Sequence, residues 1–211
     1  MKRLKIMFDF SLEEYEKKYN LLAGVDEVGR GPLAGPVVAC AVIMPKGMII
    51  EGVKDSKKLT PKKRNMLDLL IREHAIGIGI GIEDEKSIDE INIKQATRKA
   101  MKTALDNILT KEGEKISADI VFVDAENIDC QIPQESLIKG DDRCFIIACA
   151  SIVAKVLRDK MMIEYEEQYP GYDFAKNKGY GTKKHREALL EIGPCPIHRK
   201  TFLRKILHGK I

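Results

Sequence analysis

Apolar and polar positions alternate along this chain in two distinct periods, and the changes of period mark its elements. Residues 22–27 form a short apolar run that ends on the acidic pair Asp26 and Glu27, which predicts a strand stopping at a glycine-rich stretch. Residues 37–44 are almost continuously apolar, as in a buried strand, and make the natural hairpin partner of the first. Residues 75–82 alternate Ile with Gly, predicting a third strand whose glycine face is approached closely by other backbone. Residues 119–125 (DIVFVDA) predict a fourth strand and residues 136–139 a short fifth. Helical spacing covers residues 91–109, 145–169, 183–191 and 201–207. Thr60 followed by Pro61 reads as an N-cap with proline at the first helical position, opening a helix to residue 73. Ser11 and Glu14 have capping-box spacing ahead of a short helix over residues 13–19. Strands come first as a meander and then alternate with helices. The expected fold is therefore α/β: a five-stranded mixed sheet flanked by helices, with a C-terminal helical segment.

Composition narrows the class without changing the fold. With 211 residues, 44% hydrophobic and 32% charged, the chain is expected to form a single packed domain over residues 1–211, with 176–211 a basic extension packed on it. No apolar run reaches the roughly 18 residues that cross a bilayer. Lys2, Arg3 and Lys5 are followed by acidic and aromatic residues where a signal peptide needs an apolar stretch, so a cytoplasmic protein is expected. The five cysteines (Cys40, Cys130, Cys144, Cys149 and Cys195) are odd in number and lack paired spacing, which speaks against a disulfide framework. Cys195 and His198 make a lone C-x-x-H with no second half of a zinc site.

The net charge of +4 is unevenly spread. Residues 176–211 hold ten Lys or Arg against Glu187 and Glu191, and residues 54–64 hold six against Asp55, so the remainder is acidic. Basic patches beside carboxylates suit a protein that grips phosphates while holding metal. Asp26 and Asp124 each end a predicted core strand. Ile120, Phe122 and Asp124 share one face of theirs, which puts the carboxylate at the rim of the core. Clustered carboxylates there are unfavourable unless divalent cations neutralise them. Glu27 points away from Asp26 in a regular strand and would join it only through a local bend, for which the following glycines offer room. Gly29, Arg30 and Gly31 form a turn without side-chain walls at the glycines, and Arg30 adds a planar cation suited to phosphate.

These residues resemble ribonuclease HII, the type 2 ribonuclease H family, over nearly the whole chain. The shared blocks are AGVDEVGRGPLAGPV (residues 23–37), DSKKLT (55–60), FVDA (122–125), KGD (139–141), ASIVAKVLRD (150–159), KGYGTKKH (178–185) and GPCPIHRKTF (193–202), in the family's order. The resemblance implies the ribonuclease H-like fold and two divalent ions, Mg²⁺ or Mn²⁺, held by Asp26, Glu27, Asp124 and Asp141, with Asp142 adjacent to the last. It implies endonucleolytic hydrolysis of the RNA strand of RNA/DNA hybrids. It also implies cleavage 5′ of single ribonucleotides in duplex DNA, leaving 3′-hydroxyl and 5′-phosphate ends. The Gly29-Arg30-Gly31 backbone would read the 2′-hydroxyl, the group that separates RNA from DNA. Tyr180 would stack on the deoxyribose that follows.

Phosphate contacts are expected from Lys57 and Lys58, just before a helix N-terminus. They are also expected from Ser151, Lys155 and Arg158, which share a helix face, and from Arg199, Lys200, Arg204 and Lys205 along the duplex. Asp159 is expected to orient a basic residue. The expected partner is the nucleic acid alone, bound by a monomer, with no membrane. The alternatives are three. Ribonuclease HIII usually has an extra N-terminal domain and lacks the Gly-Arg-Gly loop, whereas here about 20 residues precede the first strand. A DNA exonuclease or integrase-like enzyme would share the carboxylate chemistry without needing a 2′-hydroxyl. A binding module would have lost the carboxylates. The C-terminal residues 208–211 show no aromatic pair of the kind that contacts a sliding clamp.

Overall fold

A computed structural model of the chain describes residues 8–207; the basic residues Lys2, Arg3 and Lys5 and the C-terminal residues 208–211 lie outside them. Five strands make one mixed sheet: β1 (Leu22–Val28), β2 (Val37–Ile43), β3 (Gly77–Glu83), β4 (Ile120–Asp124) and β5 (Gln134–Leu137), in the order β3-β2-β1-β4-β5. β1, β2 and β3 form an antiparallel meander, while β4 joins β1, and β5 joins β4, in parallel. β1 is thus central, and its register places Asp26 opposite Cys40 and Val25 beside Val123.

Each face of the sheet has its own core. Leu22, Val38, Cys40, Val42, Ile120 and Phe122 pack under the long helix α5 (Phe145–Gln168) and under α2 (Pro61–His74). Ala23, Val25, Val37, Ala39, Ala41, Val121 and Val123 pack under α3 (Glu85–Asp106). Period two then decides where the acids go: Asp26 and Asp124 continue the α5 face, and Glu27 continues the α3 face. Both helices lie close because glycines meet them. A Cβ on Gly24 would come within 2.3 Å of the Ile146 carbonyl carbon. Cβ atoms on Gly79 and Gly81 would come within 1.9 Å of the Ala104 and Ala100 carbonyl oxygens. This is the close backbone approach that the Ile-Gly alternation predicts.

Other expectations shift for local reasons. α1 spans only Glu13–Glu16, with Leu12 at its cap position; Glu14 pairs with Lys17 at 2.6 Å, so no capping box forms. α2 opens as expected, with Thr60 accepting from the Lys63 amide at 3.3 Å and Pro61 first. α3 starts before the expected residue 91, capped by Asp84, and is kinked at Asn92 (φ +66°), whose side chain accepts from the Lys94 and Gln95 amides. The helical spacing read from residue 91 marks this inner cap. β5 begins two residues earlier than expected and ends before Lys139, whose left-handed φ of +57° turns the chain into α4 (Gly140–Arg143). Two more four-residue helices follow α5: α6 (Phe174–Asn177) and, after α7 (Lys183–Glu191), α8 (Lys200–Leu203), which stops short of residue 207. A third core of Ala34, Met162, Tyr172, Phe174, Leu189 and Leu203 joins this C-terminal segment to α5.

Gly81→Ala tests the tight seam between β3 and α3. A strand alanine normally gains on glycine by limiting the unfolded chain. Here the overlap with the Ala100 carbonyl reverses the sign, and the substitution is expected to destabilise the fold by about 2–3 kcal/mol. Urea denaturation reads this directly, and a variant as stable as the parent would contradict the packing.

Candidate active site

The sheet's C-terminal edges at β1 and β4 bring together Asp26, Asp124 and Asp141, each offering a carboxylate oxygen within 4.8 Å of the others. Asp26 is delivered by β1, Asp124 by the end of β4, and Asp141 by the first turn of α4. The left-handed Lys139 makes the α4 placement possible: it directs the Gly140 amide onto Asp124 Oδ1 at 2.7 Å, and a Cβ on Gly140 would come within 2.6 Å of Ile147 Cδ1. Asp141 is 6% exposed and belongs to the cluster, whereas Asp142 turns outward to pair with Lys58 Nζ at 2.5 Å. That separates the two neighbouring aspartates of the KGD segment.

The cluster lacks enough cations. Burial pushes the Asp26 carboxyl well above the usual carboxylate range, with Glu27 and Asp124 adding repulsion and a hydrogen bond from Ser151 opposing it. Burial likewise raises Asp124, partly offset by the Gly140 amide. Lys57 Nζ, 3.4 Å from Asp141, is the nearest ammonium; burial lowers its proton affinity, but Asp141 and Asp26 together raise it. Hard oxygen donors converging from three elements, one of them buried without a salt bridge, fit a divalent cation.

Glu27 stands apart. β1 stays regular through Val28, so the expected bend does not occur, and Glu27 is not among the three clustered carboxylates. Its amide donates to Asp26 Oδ1 at 2.8 Å, while its carboxylate lies 3.6 Å from Arg30 Nη1. Burial raises Glu27 to about 7, with Arg30 pulling down and Asp124 and Glu126 pushing up. Glu27 therefore flanks the cluster from the other face of the sheet.

The glycine loop after β1 is held from beneath by two buried guanidiniums. Arg199 donates to the carbonyls of Gly29 (2.7 Å), Arg30 (3.1 Å), Pro32 (2.8 Å) and Gly35 (2.7 and 2.9 Å). Arg158 donates to Pro36 (2.9 Å), Ala34 (3.1 Å) and Lys178 (2.9 Å). Because a trans peptide is planar, the inward carbonyls of Gly29 and Arg30 turn the amides of Arg30 and Gly31 the opposite way. Gly29 has φ +101°, and a Cβ there would fall 2.4 Å from Arg158 Nε, so glycine is required. Gly31 faces Tyr180, whose Cε1 is 3.6 Å from the Cβ position of Gly31 and whose ring is 45% exposed. The Tyr180 carbonyl contacts His185 Nδ1 at 2.9 Å. His185 Nε2 meets His198 Nε2 at 2.9 Å, and His198 Nδ1 lies 3.1 Å from Cys195 Sγ. Burial lowers both imidazoles, His198 to about 4, and the pair packs against the rings of Tyr172 and Phe174. The C-x-x-H is part of this chain of contacts.

Several expected phosphate contacts fall elsewhere. Arg158 and Arg199 are fully buried and committed to backbone carbonyls, so neither reaches a bound strand. Ser151 is buried against Ser56 Oγ at 2.9 Å and bonds Asp26. Lys155 pairs with Asp159 at 2.6 Å, and Arg64 lies 3.5 Å from the same carboxylate, so Asp159 does orient basic residues. Lys57 stays at the rim with a largely exposed side chain. Sequence reasoning missed Glu126, a 7% exposed carboxylate between Arg30 and Arg98. Its only signal was its position two residues after Asp124.

The comparisons with known proteins agree with this geometry. A family description, "Ribonuclease HII", matches residues 23–205. The chain is 56% identical over 193 residues to a ribonuclease HII of Alkaliphilus metalliredigens, covering 92% of this chain and 95% of that one. It is 53% identical to a ribonuclease HII of Enterococcus faecalis, covering 94% and 75%. The crystal structure of the ribonuclease H2 from Pyrococcus horikoshii superposes with a TM-score of 0.74 at 26% identity, covering 89% and 97%. The expected ribonuclease H-like α/β fold is thus met, and ribonuclease H activity, hydrolysis of RNA paired with DNA with the help of divalent metal, follows from the family. On its fold, its acidic cluster and its sequence, the chain belongs to the ribonuclease HII family.

Proposed function

We propose that this protein hydrolyses the RNA strand of RNA/DNA hybrids and also cuts 5′ of single ribonucleotides in duplex DNA, leaving 3′-hydroxyl and 5′-phosphate ends. The observation that carries this reading is the arrangement of the loop. The outward amides of Arg30 and Gly31 stand beside the exposed Tyr180 ring, at the end of the strand that bears Asp26. A 2′-hydroxyl can accept from such amides, and deoxyribose offers no such atom. On this reading the exposed Tyr180 ring would stack on the sugar that follows. Lys57, exposed beside Asp141, is placed to meet a phosphate.

The reading gives Asp26, Asp124 and Asp141 the role of metal ligands, with Glu27 joining once the cluster is neutralised. Two divalent ions, Mg²⁺ or Mn²⁺, would supply an activated water and charge stabilisation for the leaving 3′-oxygen. A structural neighbour, Bst-RNase HIII, has been solved in complex with Mn²⁺. The residues themselves orient the strand, and Arg158 and Arg199 keep the reading loop fixed from below. On this reading the protein acts on nucleic acid as a monomer. Among the described residues no helix is long and apolar enough to cross a membrane.

A DNA duplex with one embedded ribonucleotide should be cut at that position in Mg²⁺ and left intact in chelator. Asp124→Asn should lower the rate by about 100-fold or more, beyond the usual effect of altering a group that only orients a ligand. Equal cleavage of all-DNA duplex would refute the 2′-hydroxyl reading.

The raised carboxyls also set a pH dependence. Glu27 goes from 4.5 to about 7 on folding, and Asp26 rises as well, so between those pH values the folded state binds more protons than the unfolded one. Metal-free protein should therefore lose stability as pH rises from 4.5 to 7, with the site's contribution fully present only at the acidic end. Thermal melts in chelator should show this slope reduced in Glu27→Gln, and Mg²⁺ should stabilise the parent more at pH 8 than at pH 5. Identical slopes in parent and variant would rule out Glu27 as a source.

A further inference from the structure

The turn after β4 carries a carboxylate that the proposed reaction leaves without a role. Ala125 adopts φ +49°, the left-handed region that L residues other than Asn and Asp seldom occupy. That turn returns Glu126 toward the glycine loop, where it is 7% exposed. Its Oε1 accepts from Arg30 Nη1 at 3.2 Å, and its Oε2 accepts from Arg98 Nε at 3.1 Å. Arg98 lies on α3, the helix seated tightly on the sheet's glycine face, so it anchors the carboxylate from a rigid element.

Arg30 is the movable end of this chain. Its side chain is 41% exposed, and its Nη1 is held between Glu126 and Glu27. Among the described residues its Nε and Nη2 have no protein acceptor. That pair forms the guanidinium edge that fits two oxygens of one phosphate. An unrestrained arginine carries about 2 kcal/mol of rotamer entropy, which binding would have to overcome.

We propose that Glu126 is a positioning residue: held by Arg98, it fixes Arg30 so that the Nε–Nη2 edge faces a phosphate of the bound strand. The inference rests on the reading of the glycine loop as the strand-binding element. A purely structural salt bridge would alter stability alone. A positioning role alters substrate affinity, and only while Arg30 is present.

Steady-state cleavage of a duplex containing one ribonucleotide tests it. Glu126→Gln should raise KM about 5- to 20-fold, at the low end for a hydrogen bond to a charged group because Arg30 is 41% exposed, with kcat within about twofold of the parent. In an Arg30→Met background the same substitution should leave KM unchanged. Arg98→Met, which keeps both Arg30 and Glu126, should raise KM in the same direction by less, and it carries the test if Glu126→Gln fails to fold. Parent protein that leaves the substrate uncut would overturn the reading of the site and this inference with it. Parent cleavage accompanied by an unchanged KM, a loss confined to kcat, or additive effects with Arg30→Met would overturn this inference alone.

Discussion

Arg199 is fully buried, forms no ion pair among the described residues, and spends its guanidinium on backbone carbonyls. Moving a cation out of water costs several kcal/mol even after relaxation. Five hydrogen bonds from a charged donor, each contributing about 1.5–3 kcal/mol, can offset that only if all are formed together. The loop from Gly29 to Gly35 must therefore keep the one shape in which those carbonyls converge. Arg158 adds a second ring of donors from α5, and burial draws the two guanidiniums down to about 9 and 10 without discharging them at neutral pH. The loop is shaped by what lies below it, and the amides left on the other side of the peptides are the consequence.

The anchoring continues outward from Arg199. Asp89 of α3 accepts from the amides of Lys200 and Thr201 at 2.7 and 2.9 Å, tying the start of α8 to the helix that covers one face of the sheet. The Arg199 amide donates to Leu33, and Gly35 donates to Ile197, so loop and C-terminal segment share backbone bonds as well. Basic residues in this part of the chain thus divide by depth. Lys200, Arg204 and Lys205 lie at the surface, and the deepest one, Arg199, is a structural pin.

This division explains what the sequence could and could not convey. The positions of the strands, the buried β2, the glycine face of β3 and the long α5 follow from periodicity, because burial of alternate or fourth residues leaves a direct mark on the chain. Asp26 and Asp124 were legible for the same reason: each is a carboxylate at the end of an apolar strand. Depth within a helix face was not legible. Ser151, Lys155 and Arg158 share helical spacing whether they look at solvent or at protein, and only the packing of the glycine loop on α5 shows the latter. In the sequence, Asp141 was separated from Asp142 by the KGD resemblance alone; the physical reason is the left-handed turn at Lys139, a backbone feature with no side-chain signature. Glu126 was invisible because its partners are distant in sequence, at positions 30 and 98.

The end of β1 also separates two charge systems by a single residue. On the α5 face, Asp26, Asp124 and Asp141 crowd together with, among the described residues, Lys57 nearby, an arrangement that favours protons or added cations. On the α3 face, Glu27 and Glu126 are matched by Arg30 and Arg98, which the protein supplies itself. Strand alternation gives the separation, since consecutive side chains of a regular strand point to opposite faces and β1 is regular through Val28. The two systems communicate through the Glu27 amide on Asp26 Oδ1 and through the repulsion between the neighbouring carboxyls. Neutralising the first system lowers the cost of ionising Glu27, whose carboxyl lies near 7 without such help. Glu27 thus borders both systems, its amide on Asp26 Oδ1 and its carboxylate 3.6 Å from Arg30 Nη1.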